Sequence, residues 1–87
     1  MIVKKQLIKR EIAGDTILVP VGKTVYDSNG LFVLNEVAAF IWDLLPEAAD
    51  ELQIVSRILE EYDVSWEDAL ADTTQFLQKL REMGIID

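Results

Sequence analysis

The sequence predicts an α+β domain in which a three-stranded antiparallel sheet precedes a bundle of three helices. Before residue 35 the apolar residues form short runs of strand length, separated by turn dipeptides. After residue 35 they recur at the i, i+3, i+4 and i+7 spacing of a helix that buries one face. The chain has 87 residues, the size of one small domain, so we expect residues 1–87 to form a single domain.

The first two strands are predicted over residues 7–13 and 16–21, with Gly14-Asp15 as a two-residue hairpin turn. Pro20 cannot donate a backbone hydrogen bond, so we expect it at a strand end, an edge or a bulge. With this turn, the residues on one side of the sheet are mostly apolar, and the other side is mixed and expected to be partly solvated. The apolar side pairs Ile12 with Ile17, Arg10 with Val19, and Ile8 with Val21.

A third strand is predicted from Leu31 to Leu34, after a loop over residues 22–30 that ends in the turn pair Asn29-Gly30. Its four residues are all apolar, which indicates that both faces are covered, at least when a ligand is bound. A short strand with few neighbours, followed directly by a helix, is also a plausible docking position for a partner.

The three helices each have a recognisable beginning. Each is preceded by a residue that can act as its N-cap. Asn35 precedes a helix over 36–45, Asp50 one over about 51–63, and Ser65 one over 66–83. Pro46 ends the first helix because proline disfavours helical geometry in its predecessor. Gly84 suits a left-handed residue after the third helix, which would let Ile85 pack back on Leu80.

The composition argues against an enzyme. Cysteine and histidine are both absent, which excludes disulfides, thiolate nucleophiles, Cys/His zinc sites and imidazole acid–base chemistry. Two acidic clusters, Glu47/Asp50/Glu51 and Glu60/Glu61/Asp63, are interpreted as solvated helix ends rather than metal sites. We therefore expect no catalytic residue, no cofactor and no bound metal.

The charge is unevenly distributed along the chain. The net charge is −8, with five basic and three acidic residues in 1–30 but three basic and thirteen acidic residues in 31–87. A strongly acidic surface repels nucleic acid and anionic lipid and favours neutral or basic partners. Charged residues interrupt the N-terminal segment where a signal peptide needs an apolar run, and no run approaches the length of a membrane span, so we expect a cytoplasmic protein.

Three segments, in this order, resemble the PqqD family: R-E-I-A-G-D-T-I-L-V-P-V, N-G-L-F-V-L-N-E-V-A-A-F-I-W-D-L-L and D-T-T-Q-F-L-Q-K-L-R-E-M-G-I-I. The resemblance covers nearly the whole chain. It implies a winged-helix-like arrangement and a non-catalytic recognition element for ribosomally synthesised, post-translationally modified peptides. In that family the leader segment of a precursor peptide adds as a strand beside the third strand, in the groove between it and the third helix.

The resemblance also implies which residues contact the leader. On the strand these are Leu31, Phe32, Val33 and Leu34, and on the third helix Asp72, Thr73, Phe76 and Lys79. Main-chain bonds to the strand edge would supply affinity, and apolar pockets would select alternate leader side chains. Half of the strand side chains must belong to the core under any interpretation. Phe76 taken alone is more typical of plain core packing, and only the resemblance makes a place in the groove equally compatible.

The partners implied are a precursor peptide leader and a modifying enzyme, such as a radical S-adenosylmethionine protein, or a leader peptidase. Family members serve quinone-cofactor, radical-enzyme and lasso-peptide pathways, and the sequence is compatible with each. The alternatives are a winged-helix nucleic-acid binder and a small scaffold subunit. Charge disfavours the first, because residues 66–83 carry a balance of −2 where a DNA reader needs a basic surface.

Overall fold

The computed structural model describes residues 1–4, 7–20 and 32–87. It confirms a three-stranded antiparallel sheet followed by three helices. The elements are β1 (Leu7–Ile12), β2 (Asp15–Pro20), β3 (Phe32–Leu34), α1 (Glu36–Leu44), α2 (Glu51–Glu61) and α3 (Trp66–Glu82). The predicted loop over residues 22–30, its Asn29-Gly30 turn, and Leu31 lie outside the described residues.

The hairpin between β1 and β2 turns one residue earlier than predicted. Its two turn residues are Ala13 and Gly14, with φ of 53° and 86°, which is the pattern of a type I′ turn. Ile8 therefore pairs with Val19 instead of Val21, and the whole register is shifted by two residues. The predicted Gly14-Asp15 turn was wrong because alanine rarely adopts positive φ, so Ala13 gave no turn signal. Pro20 is the last residue of β2, consistent with its predicted place at a strand end.

The helices pack on the mixed side of the sheet, which was expected to be partly solvated, and not on the mostly apolar side. Leu18, on the mixed side, is 1% exposed and belongs to the hydrophobic core. Ile8 and Val33 share the opposite, more apolar side and are 43% and 67% exposed. Because a shift of two residues keeps every side chain on its own face, the wrong register did not cause this error. The mostly apolar side is not wholly open, however, because Ile17 on that side is 5% exposed.

The helix termini agree with the predicted caps. The side chains of Asn35, Asp50 and Ser65 accept hydrogen bonds from the amides of Ala38, Gln53 and Asp68 at 2.7, 2.8 and 3.1 Å. At the end of α3, Gly84 has a φ of 71° and the amide of Ile85 donates to the Leu80 carbonyl at 2.9 Å. This is the predicted Schellman motif, and it buries Ile85 to 2% exposure. α2 ends at Glu61, two residues earlier than predicted.

The core lies between the sheet and the three helices. Its fully buried members come from every helix and from β2, and include Leu18, Ile41, Leu45, Ile54, Ile58, Leu77 and Leu80. The N-terminal segment is fixed against the C-terminal one by a bridge between Val3 and Ile86 and by a hydrogen bond from the Lys4 amide to the Ile85 carbonyl. None of the helices described above is both long enough and apolar enough to cross a membrane.

Candidate binding groove

A groove of about 250 Å³ opens where β3, the first turns of α1 and one face of α3 meet. We refer to it as the β3–α3 groove. It is lined by Val33, Leu34, Asn35, Val37, Ala38, Ile41, Asp72, Gln75, Phe76 and Lys79. The groove therefore involves both elements that the sequence indicated, and adds α1 between them.

β3 contributes an edge of the sheet. The strand order is β1-β2-β3, and within the described residues β3 pairs with β2 alone. Along an edge strand, backbone N–H and C=O groups that face away from the sheet are available to another strand. Val33 is 67% exposed whereas Leu34 is 6% exposed and packed in the core. In the ligand-free protein β3 is therefore open at Val33, and the expectation that both faces are covered when a ligand is bound stays a prediction.

α1 provides the apolar base of the groove. Asn35 is the single residue between β3 and α1, and it caps α1, so the chain passes from strand to helix without a longer loop. Val37, Ala38 and Ile41 follow at i, i+1 and i+4, which places them on one side of the helix. Ile41 is 0% exposed and belongs to the core. A ligand in the groove would therefore contact Val37 and Ala38, which are half-buried, while Ile41 is covered.

α3 provides the opposite side through Asp72, Gln75, Phe76 and Lys79, which have the i, i+3, i+4 and i+7 spacing of a single helix face. Phe76 is 9% exposed and packs in the core while it also lines the groove. Asp72 and Lys79 are exposed, and Gln75 lies between them. The groove combines an apolar base with polar side chains along one edge, which is the usual composition of a ligand site.

The structure brings together five of the eight residues that the sequence indicated: Val33, Leu34, Asp72, Phe76 and Lys79. Thr73 is instead 0% exposed, and its hydroxyl donates to the Ala69 carbonyl at 2.7 Å, so it supports α3 from the core side. Phe32 belongs to β3, although its side chain is outside the described part of the structure, as is all of Leu31.

Five groove residues were absent from the sequence-based set: Asn35, Val37, Ala38, Ile41 and Gln75. Gln75 was detectable, because it is three residues after Asp72 and four before Lys79 on the same helix face. The four residues of the β3–α1 junction gave a signal only for capping and core packing. Their place in the groove depends on how α1 lies against α3, which local sequence does not encode.

The described parts of the chain, 1–4, 7–20 and 32–87, contain no group of three or more acidic residues arranged to hold a metal ion. A smaller cavity of about 130 Å³ lies between the end of α1 and the start of α2. It is lined by Leu44, Glu47, Ala48, Gln53, Ile54 and Arg57. It has no sheet edge beside it, so the β3–α3 groove is the better candidate for binding an extended chain.

Comparisons with known proteins bear on the family and the fold of the chain. The family model described as coenzyme PQQ synthesis protein D (PqqD) matches residues 16–86. Among solved structures, the chain is similar to one in the structure of TbiB1 in complex with the TbiA(beta) leader peptide. The two chains are 25% identical with a TM-score of 0.72, over 100% of this chain and 95% of the other. No curated protein matches the sequence.

Proposed function

The chain belongs to the PqqD family, and from this premise we propose that it binds the leader segment of a ribosomally synthesised precursor peptide. The leader adds as a strand to the free edge of β3 and lies in the β3–α3 groove. The domain performs no chemistry itself, and it delivers the peptide to a modifying enzyme or a leader peptidase. The observation that carries the proposal is the groove itself, an apolar base beside an edge strand.

Strand addition fits a groove that offers backbone contacts on one side and side-chain contacts on the other. The edge of β3 offers backbone groups that bond to any sequence, so this part of the affinity tolerates sequence variation. The apolar surface of Val37 and Phe76 accepts side chains, so it discriminates among sequences. A leader strand at this position would also place a cross-strand neighbour beside Val33, which is 67% exposed in the free protein.

The short length of β3 supports a delivery role. Its three residues span about 10 Å, so they pair with only a few residues of the leader. The rest of the precursor peptide then remains outside the groove, where a partner enzyme can act on it. The absence of histidine and cysteine from the sequence is compatible with a partner that carries all of the chemistry.

A titration tests this proposal. The ¹⁵N-labelled domain is titrated with the leader peptide encoded beside its gene, with a double-stranded DNA fragment as the negative control. We expect amide shifts at Val33, Leu34 and the Asp72–Lys79 face of α3, and none with DNA. Shifts confined to other surfaces would contradict the site, and a leader that causes no shift would contradict the functional class.

Hydrogen exchange separates strand addition from binding by side chains alone. If the leader pairs with β3, some backbone amides of residues 32–34 exchange more slowly in the complex, because new interstrand hydrogen bonds protect them. Amides of α2, which does not line the groove, serve as the internal reference. Unchanged exchange in β3 on saturation with leader would rule out strand addition even if the leader binds in the groove.

A further inference from the structure

The β3–α3 groove carries opposite charges at two positions of one helix face. Asp72 and Lys79 both line the groove, and both are exposed. Seven residues apart in α3, they lie within about 20° of each other around the helix axis and about 10 Å apart along it. Phe76 lies between them in the sequence and is 9% exposed. A ligand along α3 therefore meets an acidic, an apolar and a basic group in turn.

This order can be matched to the geometry of an added strand. Every second side chain of a strand points to the same face, so residues two and four apart are separated by about 7 and about 14 Å. The Cα separation of Asp72 and Lys79 falls between these values. Because the ammonium of Lys79 is carried on a flexible four-carbon stem, the longer spacing is within its reach. That spacing leaves one same-face residue of the strand above Phe76.

Resting on the proposed function, we propose that the groove selects leaders in which a basic and an acidic residue are four positions apart with an apolar residue midway between them. The basic residue lies at Asp72, the apolar residue contacts Phe76, and the acidic residue lies at Lys79. The two charges also fix the direction of the strand along α3. A strand bound in reverse would bring like charges together at both ends, which is unfavourable.

Charge exchange between protein and peptide tests this inference. The probe is the fluorescently labelled leader encoded beside the gene, together with a second peptide in which its basic and acidic residues are exchanged. Binding of both is measured to the wild-type protein, Asp72→Asn, Lys79→Gln, and a double variant with Asp72→Lys and Lys79→Asp. Glu82→Gln, an exposed α3 carboxylate that does not line the groove, is the matched control.

We expect each single substitution to weaken binding of the native leader about two- to fivefold at low salt, which is the range of exposed ion pairs. The loss should shrink as salt is raised, because salt screens exposed charges. The double variant should prefer the exchanged leader, and Glu82→Gln should bind as the wild type does.

Three outcomes overturn the inference. A double variant that keeps the wild-type preference shows that the two charges do not select the leader. A leader that binds in the groove but has no basic and acidic residues four positions apart also shows that the charges do not select it. Either of these two results leaves the proposed function, leader binding, intact. A leader that fails to bind the wild-type protein overturns both the inference and the proposed function.

Discussion

The ammonium of Lys9 lies 2.6 Å from a carboxylate oxygen of Asp43, which joins β1 to the last turn of α1. Lys9 is on the helix-facing side of the sheet, directly opposite the buried Leu18. Its stem can cover apolar surface while the charged end reaches the rim, where its side chain is 35% exposed and that of Asp43 56% exposed. This pair explains how a lysine occupies the side of the sheet that packs on the helices.

The two partners of this ion pair should contribute unequally to stability. A carboxylate near the C-terminus of a helix is unfavourable by about 0.3 to 1 kcal/mol, and Lys9 offsets that cost for Asp43. Lys9→Gln loses the pair and leaves the carboxylate uncompensated, whereas Asp43→Asn loses the pair but removes the unfavourable charge. We expect urea unfolding at low salt to rank Lys9→Gln as the less stable variant.

The control for this ranking is Glu60→Gln, which breaks an exposed pair with Arg57 within α2 and should cost no more than about 0.5 kcal/mol. High salt should reduce the difference between the Lys9 and Asp43 variants, since the Debye length falls to about 3 Å at 1 M. Equal stability of Lys9→Gln and Asp43→Asn at low salt would contradict this account of the pair.

The β1–β2 turn should be improvable by one substitution. Ala13 has a φ of 53°, a left-handed conformation that costs a residue with a Cβ about 1 to 2 kcal/mol and that asparagine tolerates better. Ala13→Asn should therefore raise the free energy of unfolding by up to about 1 kcal/mol, measured as a higher urea midpoint with an unchanged slope.

Gly14→Ala is the matched control for the turn. An added Cβ at Gly14 would meet no atom within 4 Å, so only its φ of 86° opposes the substitution. We expect a loss of about 1 kcal/mol. If Ala13→Asn destabilises the protein while Gly14→Ala has no effect, the turn does not have the type I′ geometry described here.

The sequence predicted the elements whose signals are local and missed the features that depend on packing between elements. Asn35, Asp50 and Ser65 act on amides three residues away, so their capping is visible in the sequence. The inner side of the sheet could not be found in this way. Leu18 is buried and Ile8 is exposed because of where the helices dock, although both are equally apolar.

In the candidate site, too, the residues that share a local pattern were predicted and those brought in by packing were not. Asp72, Phe76 and Lys79 share one helix face and could be grouped by spacing alone, and that grouping agrees with the groove. Thr73 lies beside Asp72 in the sequence but about 100° away around the helix, which is enough to bury it fully. Ile41 joins the groove from another helix, and spacing within α3 cannot reveal such a neighbour.

Tyr62 should titrate above the ordinary tyrosine range. Burial raises the pKa of its hydroxyl from 10.0, and the nearby carboxylates of Glu36 and Glu61 raise it further. The ring also makes an edge-to-face contact with Phe40, at a centroid distance of 5.4 Å. We expect a spectrophotometric pH titration to show one tyrosine that ionises late, and to lose that component in Tyr62→Phe.

The sign of the effect on stability follows from linkage. The raised pKa means that the unfolded chain releases this proton at lower pH than the folded protein does. The stabilisation is therefore complete below pH 10 and is lost as the pH rises through the folded-state pKa. Tyr62→Phe should flatten the alkaline fall in the urea midpoint. Glu36→Gln should make that fall smaller, because it lowers the folded-state pKa of Tyr62 toward its unfolded value. A wild-type protein without a late-ionising tyrosine, or a late component that persists in Tyr62→Phe, would contradict the assignment.

Phe76 and Leu77 are neighbours on α3 that separate groove binding from core stability. Both are buried, at 9% and 0% exposure, but only Phe76 lines the groove. Phe76→Leu should weaken leader binding about fivefold, because about 1 kcal/mol of apolar contact with the ligand is lost. Leu77→Val should lower the free energy of unfolding by a similar amount, about 1 kcal/mol, with leader affinity unchanged.

Stability and leader affinity are both measured for each variant. Urea unfolding gives the first, and fluorescence anisotropy of labelled leader gives the second, under conditions in which each variant remains folded. If the affinity falls equally in both variants, Phe76 acts through the core alone and the base of the groove does not contact the peptide.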